Sequence, residues 1–376
     1  MHLRLSLLAF LASANLPLCA KDHVALLGTY TGESRGIYAV RLDAESGALS
    51  TPELVAELPD PEFLASRPDG RFIYALTRVT RPGGKAAGAI EAFAVDGATG
   101  KLTPLNTEST GRSSLTHLAV DPTGRMVIAP SYGGGYVASF PIKPDGSLGP
   151  CASILMQQGP LGPNHARQDS SHPHSVTISP DGRFAFVANL GLDRVFTYRL
   201  DPKDGTIAAN EPAFATIKAG SGPRHTKFSA DGRFFYVLSE LAGTITSCRY
   251  DAARGAVEPF QAISTLPDGF AGSNTSSEIR VSPDGRFVYA ANRGPNSLAV
   301  FSRDLKTGAL TRIEIVPTGG DHPRNFALSP DGAWLLCAHQ NTGNLTVFRV
   351  DRDTGRLTRT DHTAHVAKAV CVLFLR

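Results

Sequence analysis

His174-Ser-Val-Thr-Ile-Ser-Pro-Asp-Gly-Arg-Phe-Ala-Phe-Val-Ala-Asn189 holds, in order, a strand, a turn and a strand. His174–Ser179 alternates apolar and polar residues, the period of a half-buried strand. Pro180-Asp181-Gly182 is turn chemistry, with Pro presetting φ and Gly supplying a positive one. Phe184–Ala188 is an apolar, β-rich run. Beyond it, Leu190–Asp193 turns the chain, Arg194–Leu200 reads as a third strand, and Asp201–Gly205 turns into a fourth.

The turn phrase recurs as Pro68-Asp-Gly-Arg-Phe72, Ala230-Asp-Gly-Arg-Phe234 and Pro283-Asp-Gly-Arg-Phe287. Looser copies stand at Pro122-Thr-Gly-Arg125 and Pro330-Asp-Gly-Ala333. The spacing is about 50 residues, the range of propeller and solenoid repeats. A second phrase, Gly before a small or apolar residue, falls between the copies. It appears at Gly47, Gly100, Gly146, Gly205, Gly255, Gly308 and Gly355, which marks seven units. Four antiparallel strands repeated seven times predict an all-β fold, a seven-bladed β-propeller. Val24–Tyr30 and Gly36–Leu42 have no turn phrase before them, and Ala369–Leu375 has no partner after it. The C-terminal run is therefore expected to complete the first blade and close the ring, hiding a sheet edge.

The net charge of +3 is spread along the chain, which gives no basis for nucleic-acid or membrane-surface binding. No stretch is long and apolar enough to span a bilayer. Residues 1–20 read as a secretory signal peptide: His2 and Arg4, an apolar run Leu5–Ala12, and Leu18-Cys19-Ala20 before the polar Lys21-Asp22. The mature domain is then 21–376, exported to a periplasm or secreted, and taken as a monomer. Cys248, Cys337 and Cys371 lie in strand contexts, and no CxxC spacing occurs. His172-Pro173-His174 has no carboxylate or third histidine nearby in sequence, so no metal and no cofactor is expected.

Counted from the turn glycine, the units differ at two columns. Eight residues before it stand Glu62, Thr116, His174, Arg224, Ser277 and Arg324. Eight after it stand Arg78, Tyr132, Leu190, Glu240, Arg293 and Gln340. The two strands run in opposite directions, so both columns fall at one mouth of the ring. His174, Arg224, Glu240 and Arg293 are the expected catalytic set. Arg324, Tyr132, Gln340, Asn292, His225 and, from the long Gly159–Ser171 loop, Arg167 are the expected substrate contacts. Arginine forks match carboxylates and phosphates, so the expected ligand is a small anion. Arg78 and His117 read as structural.

Ser171–Arg194, Gly222-Pro-Arg-His-Thr226 with Ser239-Glu240, Asn292-Arg293 and His322-Pro-Arg-Asn325 resemble the lactonase family of seven-bladed propellers. That family includes propeller-type 6-phosphogluconolactonases and carboxy-muconate cyclases. The resemblance implies hydrolysis of 6-phospho-D-glucono-1,5-lactone, with the family's proposed site falling on His174, Arg224, Glu240 and Arg293. Ester hydrolysis needs a base, for which Glu240 or His174 is the expectation, and a cation for the oxyanion, Arg224 or Arg293. An exported chain would not meet that cytosolic metabolite, so the N-terminus opposes the phosphate. Muconate-type lactone chemistry, or a non-catalytic exported binding propeller, are the alternatives.

Overall fold

The computed structural model describes residues 22–81 and 83–375; the segment read as a signal peptide lies outside them. The described residues contain strands and no helix. They form seven four-stranded antiparallel sheets, arranged as the blades of a propeller. Blade 1 has the strand order Ala369–Phe374, His23–Thr29, Gly36–Leu42, Glu53–Glu57 from the axis outward. The C-terminal strand pairs with the N-terminal one, Leu26 opposite Leu373, so the ring closes as the sequence predicts. Blades 2 to 7 begin with the inner strands Leu64–Ser66, Ala119–Val120, Pro173–Ile178, Pro223–Phe228, Ser276–Val281 and Pro323–Leu328.

The core lies between blades. Strand alternation sends Ala185 and Val187 toward blade 3, and Phe184 and Phe186 toward blade 5. A blade alone would leave both apolar faces in water, which is why the repeats fold as one unit.

The two sequence phrases meet across this packing. Gly182 sits at φ +69°, and Ser179 Oγ bridges Asp181 and the Phe184 amide to close the turn. The Arg183 guanidinium then donates to the Ala252 carbonyl of the next blade at 2.6 Å, and Arg233 reaches Leu305 the same way. The ring of Phe184 fills the space where a Cβ on Gly255 would stand, 2.5 Å away. Phe234 does the same at Gly308 and Phe287 at Gly355. At the closing joint the chain's single tryptophan, Trp334, packs on Gly47 and donates to the Ala44 carbonyl at 3.0 Å. With Gly146 under Phe72, five of the seven second-phrase glycines lie against an aromatic ring that follows a first-phrase turn.

Candidate active site

At the ring face opposite these turns, the inner strands of blades 4, 5 and 7 each carry a bulge. Pro173 pairs with Asn189 and Ser175 with Ala188, leaving His174 out of the ladder. Arg224 and Arg324 are left out in the same way. An extra residue in a strand bends it and re-aims a side chain, here into the axial channel. In these three blades the bulge is the physical content of the column eight residues before the turn glycine. The other column comes from residues just past the second strands, Tyr132, Glu240 and Arg293.

These side chains line a cavity of about 290 Å³ with Tyr30, Glu62, Thr116, Arg167, His174, Arg224 and Arg324. A larger recess of about 740 Å³ opens near the turn face, but Arg280 is its one charged lining residue among apolar strand and turn residues. The smaller cavity gathers the ionisable side chains.

Glu240 is the hub. Its Oε2 accepts from Arg224 Nη1 at 2.7 Å and pairs with Arg293 Nη2 at 3.1 Å, while Arg167 Nη2 reaches Oε1 at 2.5 Å. Burial alone would raise its proton affinity, but the guanidiniums of Arg224, Arg293 and Arg167 hold it well below the carboxylate range. Arg224 and Arg293 are fixed from behind by the Ser277 and Thr275 carbonyls, each at 2.8 Å. Burial and the charge of Arg224 bring Arg293 down to about 9. Arg224 also donates to His174 Nε2, which places the imidazole proton on Nδ1, where it has no partner. Burial, then Arg224 and His225, push His174 well below the imidazole range, so the ring is neutral.

The opposite wall is built from Arg324, Tyr30 and Glu62. Arg324 Nη2 donates to Tyr30 Oη at 2.6 Å, and Tyr30 and Glu62 line the same cavity. Burial lifts Tyr30 to about 12 and raises Glu62 as well, against the pull of the Tyr30 hydroxyl and of Arg324 and Arg224.

Seven of the ten expected site residues meet in this cavity: His174, Arg224, Glu240, Arg293, Arg324, Tyr132 and Arg167. The long loop delivers Arg167 because Gln168 is fully buried and clamps it, donating to the Leu190 carbonyl at 2.8 Å. The other three do not line it. Asn292 precedes Arg293 on a strand and points the other way, into blade 6, where it bonds Thr265 and Ser276. His225 lies deeper along the channel, 3.3 Å from Glu278. Gln340 stands at the mouth face, with its amide bonded to the His322 carbonyl. Arg78 pairs with Asp60, and His117 stacks on Phe63, both outside the cavity. His172 and His174 part company, since His172 stacks flat on Tyr132 and bonds its carbonyl. The described residues contain no cluster of His, Cys, Asp or Glu arranged for a metal ion.

Tyr30, Glu62 and Thr116 were not assigned from sequence. Glu62 and Thr116 stand in the first column. Tyr30 holds the place of Glu240 in blade 1, directly after the second strand, and Thr29-Tyr30 matches Ser131-Tyr132 and Ser239-Glu240.

Fold and site together define a seven-bladed propeller with an arginine-rich axial pocket at one mouth. The chain belongs to the lactonase family of seven-bladed β-propellers, whose family model matches residues 24–374. It is 36% identical to the 6-phosphogluconolactonase of Bacillus subtilis over 305 residues, covering 81% of this chain and 84% of that one. It is 30% identical to a 6-phosphogluconolactonase of Formosa agariphila, over 80% of this chain and 85% of the relative. The structure of a periplasmic gluconolactonase from Pseudomonas aeruginosa superposes with a TM-score of 0.88 at 34% identity, covering 94% of this chain and 99% of that chain.

Proposed function

We propose that the protein opens a sugar lactone of the 6-phosphoglucono-1,5-lactone type by adding water at the carbonyl in this cavity. One observation carries the reading: four arginines face two carboxylates in a single small pocket. Arg167, Arg224, Arg293 and Arg324 exceed Glu62 and Glu240 in charge, so the pocket favours an anionic guest. Arg224 and Arg293, anchored on backbone carbonyls, stabilise the oxyanion that forms when the carbonyl is attacked. Arg324 and Arg167 lie on different walls and hold the substrate's own anionic group. Glu240 and His174 keep the guanidiniums from rotating away, a preorganised positive field.

A second reading drops the phosphate. The N-terminal segment reads as an export signal, and one similar structure is a periplasmic gluconolactonase. An exported form of this enzyme acts on glucono-lactone itself.

A panel of glucono-1,5-lactone, its 6-phosphate and a carboxy-muconolactone, followed by proton release at neutral pH with the spontaneous rate subtracted, separates the readings. Acceleration is expected for one of the two sugar lactones. If no lactone opens faster than in buffer, the hydrolase reading falls and a binding propeller takes its place.

A further inference from the structure

We propose that Glu62 is the general base that activates water in this cavity, and that Asp60 and Arg78 position it; the inference rests on the lactone-hydrolase reading above. Both groups expected to serve as base are otherwise engaged. Glu240 spends both oxygens on three guanidiniums. A proton placed there would leave buried cations facing one another. His174 offers its only basic nitrogen, Nε2, to Arg224.

Glu62 lines the same cavity from the far wall and is paired with no guanidinium among the described residues. The groups that face it come from five blades: Tyr30 of blade 1, Thr116 of blade 3, His174 of blade 4, Arg224 of blade 5 and Arg324 of blade 7. Tyr30 shares the cavity wall with it, and Arg324 is drawn off to the Tyr30 oxygen at 2.6 Å. Burial strengthens Glu62 as a base relative to an exposed carboxylate, while Tyr30, Arg324 and Arg224 favour its ionised form.

The backbone before Glu62 is built to aim it. Asp60 adopts φ +47°, a left-handed conformation that persists in a non-glycine residue only where its surroundings enforce it. The surroundings do so. Thr31 N donates to Asp60 Oδ1 at 2.8 Å, Asp60 N donates to Thr31 Oγ1 at 2.7 Å, and Arg78 pairs with Oδ2. The Glu62 amide then closes onto the Asp60 carbonyl at 2.7 Å. The same left-handed step occurs at Gly222 (φ +63°) and His322 (φ +65°), each two residues before a channel-facing arginine, Arg224 or Arg324. Blade 2 uses that step to present a carboxylate.

In the reaction, water oxygen bonds to the lactone carbonyl carbon while Glu62 takes one water proton. The carbonyl π pair moves to oxygen, forming an oxyanion beside Arg224 and Arg293. Collapse of the intermediate breaks the carbon–ring-oxygen bond, and Glu62 returns its proton to the departing ring oxygen. The product is a hydroxy acid, which ionises at neutral pH and releases one proton.

The test compares the wild type with Glu62→Gln and Tyr30→Phe on the lactone the panel selects. Since only ionised Glu62 accepts a proton, kcat/KM falls as pH drops through its pKa, and this acid limb lies higher than that of an exposed glutamate. Glu62→Gln lowers kcat by about 10²–10⁴-fold with KM little changed, and the acid limb disappears. Tyr30→Phe removes the hydroxyl that favours the charged form, so the limb moves to higher pH. A folded Glu62→Gln protein with wild-type kcat, or one that keeps the wild-type acid limb, overturns the assignment. Should that variant fail to fold, an unmoved limb in Tyr30→Phe does so. A wild type inactive on every lactone refutes the hydrolase reading itself, a different outcome from loss of the base alone.

Discussion

The same strands end at two faces of this ring, and their charges are handled in opposite ways. At the turn face the pair within the repeated phrase is local and wet: Arg286 Nε meets Asp284 at 2.6 Å, with both side chains more than 40% exposed. At the mouth, Glu240 is 2% exposed and gathers three arginines, one from its own blade, one from the next blade and one from a loop. The turn-face pair can be repeated because it closes its own turn, whichever blade it is in. The mouth cluster cannot be repeated, because each member depends on what its neighbours present. A ring needs copies to close and needs departures from them to make a site. Here the two demands are met at opposite ends of one strand pair.

Removing one carboxylate at each face breaks or sharpens that comparison, and this is the largest effect expected. Glu240→Gln leaves Arg224 and Arg293 buried without their anion, and should cost about 3–5 kcal/mol of stability in urea unfolding. Asp284→Asn removes an exposed partner and should cost about 1 kcal/mol or less. Equal losses would mean that the mouth cluster is solvated as freely as the turns.

Glycines extend the comparison to packing. Gly255 sits at φ +63° against the Phe184 ring, so Ala there meets both backbone strain and a 2.5 Å contact. Gly255→Ala should destabilise by roughly 2–4 kcal/mol. Gly133, in the mouth loop after Tyr132, has open space where its Cβ would stand and no positive φ. Gly133→Ala should leave the melting temperature unchanged or raise it slightly, worth up to about 1 kcal/mol. A large loss there would show that the mouth loop is packed as tightly as the turns.

The turn face was legible in the sequence because its chemistry is local: Ser, Asp, Gly and Arg act within six residues and announce themselves at Ser179–Arg183, Ser229–Arg233 and Ser282–Arg286. The mouth was legible only as a register. Counting from the glycine found His174, Arg224, Glu240, Arg293 and Arg324, but could not tell Asn292, which turns into blade 6, from Arg293 beside it. Strand alternation decides that, and the bulges that set the phase are not written in any single residue type. Tyr30 escaped because blade 1 has no turn phrase from which to count. Glu62 stood in the column all along. What marks it out is that Glu240 is already saturated, and that fact arises only when arginines from separate blades converge.

Arg78 gives the smallest effect and the finest division between the two faces. It occupies the second column, yet it leaves the cavity to pair with Asp60, and its side chain is 47% exposed. As a surface ion pair it should add no more than about 1 kcal/mol to stability, so Arg78→Ala should melt nearly as the wild type does. As a positioning residue it should still matter, because Asp60 holds its left-handed turn two residues before Glu62. The expected signature is a kcat lowered several-fold with KM unchanged, and partial recovery in Arg78→Lys, which restores the charge without the fork. An unchanged kcat in Arg78→Ala would show that the two Thr31 bonds hold Asp60 without help, and would return Arg78 to the structural class that the sequence assigned it.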